Sequence, residues 1–202
     1  RFGDWMRFNL ALFHIDVTNE IVVDTNSGGR STFKNASKTR REGLELAWDG
    51  RFAHGLEATL AYTRLDARFT QPFVTSISTP GVPINVNAGS RLPGVPPNTL
   101  YGEVVWRHAP SGFHAGIEAR HSGKIFVNDP NTEAAGAYTV WNLRAGFEQR
   151  ARNWRITEFV RLDNVTDRQY IGSVIVAEAN GRYYEPAPTS NAMVGAQASL
   201  RF

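Results

Sequence analysis

Apolar and polar residues alternate with a period of two in eight segments of the chain. Within residues 98–108, Leu100 and Trp106 share one face, whereas Glu103 and Arg107 occupy the other. Successive side chains of a β-strand point to opposite sides of its sheet, so this pattern predicts strands with one apolar and one polar face. The predicted strands cover 5–17, 39–52, 55–67, 98–108, 112–123, 137–149, 154–163 and 192–202.

The connections between these strands are alternately short and long. The short ones contain turn-forming residues and lie at 53–55, 109–112 and 150–153. The others are rich in Gly, Asn, Ser, Thr and Pro and exceed the usual hairpin loop of about two to five residues. They cover 18–38, 68–97, 124–136 and 164–191. Short turns at one end of a sheet and long loops at the other are typical of a transmembrane β-barrel.

Aromatic residues of the apolar face lie beside the short turns or at the end of the chain. Amphipathic rings favour the headgroup level of a bilayer, so these residues are expected to form a membrane girdle. A soluble β-sandwich also alternates, but it has no reason to segregate aromatic rings at one rim. The pattern therefore favours an antiparallel transmembrane wall. The predicted girdle comprises Trp48, Phe52, Trp106, Phe113, Phe147, Trp154 and Phe202.

The segment 154–163 has one charged residue on its apolar face. Ile156, Val160 and Leu162 share that face with Glu158. The opposite register would turn arginines such as Arg161 towards lipid, at about 2–4 kcal/mol each near the midplane, whereas an acidic residue costs less. We therefore expect Glu158 to face outward, at a bulge or against another part of the protein.

Composition excludes several classes of protein. The 42% of hydrophobic residues resembles a soluble protein, but the two faces of a barrel strand cancel in such an average. No run approaches the roughly 18 apolar residues of a spanning helix. The absence of cysteine excludes disulfides and thiolate metal sites. The net charge of +3 is spread out without a basic block, which argues against a nucleic-acid partner.

The sequence offers no catalytic or metal-binding constellation. Of the five histidines, only His114 is expected to point inward, and Glu118 on the same strand face lies about 13 Å away at the strand rise, too far for joint metal ligation. No motif of a serine hydrolase or zinc protease occurs. We therefore expect no enzyme activity, no metal and no cofactor.

Ligand-binding candidates lie on the polar face and in the long loops. Arg120, Arg144 and Arg161 are suited to an anionic ligand by position and charge. Aromatic and cationic loop residues are suited to a chelate or a ring system. The loop candidates are Phe73, Phe126, Arg182, Tyr183 and Tyr184.

Four stretches resemble one family. The sequence LDNVTDRQY at 162–170 is similar to the N-L-F-D signature of TonB-dependent outer-membrane receptors, with Val165 and Thr166 where the family more often has Leu and Phe. Residues 35–46 contain a similar R-x-x-G-x-E pattern, and residues 91–96 resemble the family's approach to the next strand. Residues 192–202 resemble its C-terminal insertion signal.

This resemblance implies an architecture and a set of partners. The family's barrel has 22 strands around a plug, so residues 1–202 would be the C-terminal barrel portion, without the plug, and would form the last eight strands as an open arc. The implied location is the outer membrane of a Gram-negative bacterium. The implied partners are the lipid bilayer, the TonB complex through the absent plug, the barrel-insertion machinery through Phe202, and an iron-siderophore or other metal chelate.

A complete eight-stranded barrel with a structural, adhesive or pore role is the alternative. Such a barrel requires hydrogen bonds between the first strand (Phe8, Leu10, Leu12) and the last (Val194, Ala196, Leu200). We expect no such pairing.

Overall fold

The computed structural model describes residues 4–75 and 83–201. Within these ranges a single-turn 3-10 helix lies at Ala53–Gly55, and no helix is long and apolar enough to cross a membrane. The strands are β1 (Met6–Ser27), β2 (Arg30–Arg51), β3 (Leu56–Phe69), β4 (Phe73–Thr75), β5 (Ile84–Val86), β6 (Asn98–His108), β7 (Phe113–Ser122), β8 (Ile125–Phe126), β9 (Ala134–Ala135), β10 (Tyr138–Ala151), β11 (Trp154–Asp163), β12 (Ile171–Val174), β13 (Tyr184–Pro186) and β14 (Asn191–Leu200).

One antiparallel sheet of eight strands dominates the structure. Its order is β1-β2-β3-β6-β7-β10-β11-β14, so each long strand pairs with the next long strand along the chain. Three two-stranded sheets, β4-β5, β8-β9 and β12-β13, lie in the long connections. In the described residues β1 and β14 do not pair with each other, and the sheet is open. The predicted all-β wall and its open arc are therefore confirmed.

The strand registers align apolar residues in rows across the outward face of the sheet. In one row Trp106 pairs with Ala115, and Ala115 also pairs with Ala145. The row continues from Ala145 to Val160 on β11. Since every strand keeps the same phase, one face of the sheet is apolar from β6 to β14 except at Glu158, as expected of a lipid-facing wall.

Glu158 lies in this outward phase. It is opposite Phe147 of β10 and Ala196 of β14. The register predicted for residues 154–163 is confirmed. Neither pairing of β11 shifts register in the described residues, so the bulge suggested for Glu158 is absent there.

The predicted girdle residues that the structure describes, Trp48, Phe52, Trp106, Phe113, Phe147 and Trp154, lie on the outward face beside the short turns. Their rings contact one another: Phe113 is 5.1 Å from Phe147 and 6.0 Å from Trp106 between ring centroids. The Trp106 indole N–H donates a hydrogen bond to the carbonyl oxygen of His54, 3.0 Å away in the adjacent turn. Trp48 and Trp154 lie in the same outward phase on β2 and β11, and Phe52 follows β2. Phe202 lies outside the described residues.

Glycines with positive φ make two of the short turns possible. Gly55 has φ 75° and Gly112 has φ 72°. A Cβ atom at Gly55 would collide with the backbone carbonyl oxygen of Arg107 on β6, and one at Gly112 with that of Glu148 on β10. Only glycine combines this backbone conformation with such a close approach.

The segment 18–38, predicted to be a loop, is instead a hairpin. β1 and β2 continue as paired strands of 22 residues each, joined at the glycines 28 and 29. A membrane-spanning strand requires about 9–11 residues, so the hairpin projects well beyond the wall. Polar residues do not prevent strand pairing in water, because the ladder hydrogen bonds are made by the backbone.

The hairpin changes phase where it leaves the wall. Asn19 has a left-handed backbone conformation with φ 60°. Before Asn19, the even-numbered residues of β1, such as Leu10 and Leu12, face outward. Beyond it, the even-numbered Glu20 faces inward, where it hydrogen-bonds to Thr39 and Arg41 on the inner face of β2. Ala36, the register partner of Glu20, is consequently buried. The buried apolar cluster therefore lies among the loops; it contains Ala36, Ala67, Phe69, Val86 and Leu92.

Candidate functional site

The three predicted arginines lie on the polar face and are held by carboxylates. A guanidinium nitrogen of Arg144 is 2.6 Å from a carboxylate oxygen of Glu103. The Nε of Arg120 is 2.6 Å from Glu118. The polar face thus carries alternating charges that orient one another, which fixes the arginines before any ligand arrives.

Arg161 completes this network. Its Nε is 2.7 Å from Asp163, and a terminal nitrogen is 3.9 Å from Glu118. Arg161 and Arg144 are register partners on β11 and β10, so two of the three predicted arginines are adjacent. The buried Nε of Arg144 has no hydrogen-bond acceptor in the described part of the chain. That atom is inaccessible, but the Arg144 side chain as a whole is 40% exposed, so its terminal nitrogens keep donor capacity for an anion or for another part of the protein.

The N-V-T-D stretch after β11 forms a closed turn. The Asn164 side-chain amide donates to the carbonyl oxygen of Arg168 at 2.9 Å, and its oxygen accepts the Arg168 backbone N–H at 2.9 Å. Asn164 is buried and has φ 50°. An asparagine is suited to this position because it tolerates the left-handed region and can bond its own turn.

This turn is tied to the charged wall. The Asn142 side-chain oxygen accepts the backbone N–H of Asn164 at 2.8 Å, and its amide donates to Glu118 at 2.8 Å. The Tyr170 ring lies 4.2 Å from the Tyr138 ring between centroids. The turn that starts the last long connection therefore depends on the same Glu118 that holds Arg120.

The predicted loop residues lie in separate surroundings. Phe73 packs against Phe69 of the loop cluster, with ring centroids 4.8 Å apart. Phe126 lies under the ammonium group of Lys124, 4.6 Å from its nitrogen to the ring centroid. Phe73 therefore contributes to loop packing, and its role in ligand binding stays a prediction.

Arg182, Tyr183 and Tyr184 lie together in the last long connection. The two tyrosine rings are 6.0 Å apart, and the Tyr184 hydroxyl donates to Glu133 at 3.2 Å. Burial and the neighbouring Glu133 carboxylate raise the pKa of Tyr184. Arg182 is exposed beside them. This contact joins the last long connection to residues 124–136.

A buried ion pair among the loops was not predicted. Asp129 is only 1% exposed, and its carboxylate lies 3.2 Å from the ammonium group of Lys34 on the projecting hairpin. Lys34 also contacts Asp24 at 3.4 Å and donates to Thr75. Burial raises the pKa of Asp129 even though Lys34 lowers it. Neither residue stands in a recognisable motif, so the sequence carries no signal for this contact.

Backbone and amide hydrogen bonds join the loops further. Asn26 at the tip of the hairpin donates its N–H to the carbonyl oxygen of Ala177 at 2.9 Å. The Asn131 side chain bonds both backbone groups of Arg91, at 2.6 Å and 2.8 Å. The hairpin and the three long connections thus form one interlocked loop assembly above the wall.

Comparison with known proteins identifies the family of this sheet. Residues 1–165 match the family described as TonB dependent receptor-like, beta-barrel. The siderophore receptor PiuA from Acinetobacter baumannii superposes with a TM-score of 0.76 at 19% identity, covering 98% of this chain and 26% of that one. BauA, the ferric preacinetobactin receptor of the same organism, gives a TM-score of 0.72 at 17% identity, covering 98% and 28%.

A third structure shows the same fold. The ferric-catecholate import receptor Fiu from Escherichia coli K12, in its closed form, has a TM-score of 0.67 at 19% identity and covers 100% of this chain and 26% of its own. The chain thus spans about a quarter of the length of each of these receptors. The chain belongs to the TonB-dependent receptor family, and its sheet is part of a β-barrel of the Gram-negative outer membrane.

Proposed function

We propose that the protein is a receptor that binds a metal chelate, such as an iron-siderophore complex, and imports it across the outer membrane with energy delivered through TonB. The observation that carries the proposal is the match of residues 1–165 to the family's barrel. The similar structures are described as receptors for a siderophore, for ferric preacinetobactin and for ferric catecholates. Membership of a family of transport receptors also argues against catalysis.

The chemistry of the inner face supports this proposal. Ferric chelates often carry negative charge, and Arg120, Arg144 and Arg161 project from the polar face with fixed orientations. Tyr183 and Tyr184 in the loop assembly add aromatic surface for a ring system. We infer that the loops select the ligand and the arginines contact it, or the plug, inside the barrel.

We further propose that the chain supplies the C-terminal arc of a larger barrel that surrounds a plug. The two edge strands, β1 and β14, are free of each other in the described residues, which argues against the complete eight-stranded barrel. The plug would provide the contact with TonB. Phe202 would provide the contact with the barrel-insertion machinery. The long loops would face the exterior and the short turns the periplasm.

Uptake of radiolabelled ferric chelates by a deletion strain tests the proposal. Deletion of the full-length gene is expected to abolish uptake of at least one chelate, and removal of TonB should have the same effect. Restoring the gene with Arg144→Gln and Arg161→Gln should return only part of the uptake, whereas Arg155→Gln, close to a short turn, should return all of it. Unchanged uptake of every chelate in the deletion strain, with reduced permeability to small solutes, would instead support a passive pore.

A further inference from the structure

The outward face of β2 and β3 changes from apolar to charged at one level. Leu12, Leu44 and Arg64 form one register row, and Leu12 is 75% exposed on the apolar face. The next row outward contains His14, Glu42 and Asp66. The edge of the lipid-facing surface therefore lies within one side-chain row of these charges.

The row beyond places arginines next to one another. Arg40 on β2 is the register partner of Arg68 on β3. The backbone of Arg68 also forms an isolated antiparallel β-bridge with that of Arg91. Like charges directly opposite each other in a sheet are destabilising. Arg40 and Arg68 point away from the lumen, because their strand neighbours Thr39, Ala67 and Phe69 are buried on the opposite, inner side of the sheet.

The local carboxylates only partly compensate these arginines. The Arg40 Nε bonds Asp16 at 2.9 Å, and Arg68 and Arg91 share Asp66 at 2.8 Å and 3.3 Å. Arg64 makes no ion pair within residues 4–75 and 83–201, and Lys38 is exposed close by. Five cations thus face three carboxylates, which are Asp16, Glu42 and Asp66.

The geometry of these contacts suits a bound phosphate. Arg40 bonds Asp16 through Nε, and Arg68 uses Nε for Asp66 and one terminal nitrogen for the carbonyl oxygen of Gly89. The carboxylates therefore fix the guanidinium planes while terminal nitrogens stay available. A guanidinium group binds phosphate through such parallel donors.

We propose that this outer-rim patch, Lys38, Arg40, Arg64, Arg68 and Arg91, binds the phosphate groups of lipid headgroups in the outer leaflet. The commitment to lipid rests on the continuity of the patch with the apolar face and on its charge, since cations at the membrane surface attract anionic headgroups. Arg64, level with Leu44, extends its charged end from the apolar edge to the headgroup layer. The proposal relies on the orientation given under the proposed function, with the long loops outside.

Native mass spectrometry of the purified full-length receptor tests the proposal. The delipidated protein is incubated with short-chain phosphatidic acid, with the matching diacylglycerol, or with phosphatidic acid plus excess inorganic phosphate. The wild type should bind phosphatidic acid, should not retain diacylglycerol, and should not lose the lipid to inorganic phosphate. Equal retention of diacylglycerol would overturn the proposal, because the phosphate of the headgroup would then not be recognised. Displacement by inorganic phosphate would overturn the choice of a lipid, because the patch would then be a site for free phosphate.

Variants separate the patch from general charge effects. The triple variant Arg40→Gln, Arg64→Gln, Arg68→Gln should bind phosphatidic acid roughly a hundredfold more weakly. Control substitutions Arg107→Gln, Arg150→Gln and Arg152→Gln, near the short turns, should bind as the wild type does. If the triple variant fails the heat-modifiable mobility test for folding, Arg64→Gln alone should still weaken binding about fivefold.

Two results would contradict the proposal outright. Wild-type lipid binding by the folded triple variant, or by Arg64→Gln where the triple variant does not fold, excludes a role for the patch. A loss of binding in the control variant alone would show that the lipid binds near the short turns and not at the patch. The number of lipids bound to the purified receptor is measured without any transport. A failure of the chelate-uptake experiment is therefore distinguishable from a failure of the lipid proposal.

Discussion

Asn164 shows how one residue holds the start of the last long connection. Its amide closes the turn to Arg168, and its left-handed backbone favours Asn or Gly. Asn164→Ala removes both side-chain hydrogen bonds and adds backbone strain, so we expect a loss of about 2–4 kcal/mol in the local stability of this turn. Limited proteolysis of the loop 164–190 in the full-length receptor measures it. Asn164→Gly is the control: it relieves the strain and should lose less, and wild-type protection in Asn164→Ala would refute the clamp.

The buried carboxyl group of Asp129 makes the docking of the loops depend on pH. Burial raises its folded-state pKa above the ordinary value of 3.8, so the folded loops bind the proton more tightly than the undocked loops do. The contribution of Asp129 to loop docking is therefore most favourable at low pH. It declines as the pH rises from the ordinary value through the raised one, and is constant above it.

The pH dependence of amide hydrogen exchange in residues 123–137 tests this sign. In the wild type, protection corrected for intrinsic exchange should increase as the pH falls towards the raised pKa of Asp129. The Asp129→Asn variant cannot titrate at this position, so its protection should depend less on pH. Asp24 is the more exposed of the two carboxylates beside Lys34, so the Asp24→Asn variant should largely retain the pH dependence of the wild type. An equal slope in Asp129→Asn and the wild type would show that another group is responsible.

At the level of strands, the alternation of apolar and polar residues predicted the strands of the lipid-facing wall. It did not predict the strands that lie among the loops. β6, β7, β10 and β11 lie close to their predicted bounds, because an apolar face against lipid fixes both phase and length. The extension of β1 and β2 was missed, since outside the bilayer nothing forces alternation. The phase change at Asn19 depends on a single backbone conformation, and the Lys34–Asp129 contact depends on packing between distant segments.

Glu158 is the element-scale exception in the lipid-facing wall. It lies on β11 with an apolar partner on each side, Phe147 and Ala196, so a neutral replacement relieves the cost of an outward carboxylate. Glu158→Leu should raise the free energy of unfolding in lipid bilayers by about 1 kcal/mol or more, measured by denaturant titration.

The inner-face residue Glu148 provides the matched control. It lies on neighbouring β10 and is ion-paired with Arg150 and Arg155, each at 2.8 Å. Glu148→Leu should therefore be neutral or destabilising. If Glu158→Leu lowers stability by as much as Glu148→Leu or more, then Glu158 has a polar partner in the complete receptor.

At the scale of the whole molecule, the open sheet with an apolar outer face supports the proposal that the chain is an arc of a larger barrel. The candidate ligand contacts divide between two levels, the arginines on the wall and the tyrosines in the loop assembly. Sequence reasoning placed the arginines on the correct face, because strand phase sets direction. It could not arrange the loop residues, because their positions result from contacts such as Asn26 with Ala177 and Asn131 with Arg91.

Cysteine cross-linking in the full-length receptor tests the central claim, that the chain is an arc of a larger barrel. The chain has no cysteine, so pairs can be introduced without interference from it. Val160→Cys with Val194→Cys, register partners on β11 and β14, should cross-link with a short thiol reagent. Pairs that combine a cysteine at Phe8, Leu10 or Leu12 with one at Val194, Ala196 or Leu200 should give no intramolecular product. Cross-linking of any such edge pair to the level of the control would show a closed eight-stranded barrel and contradict the account.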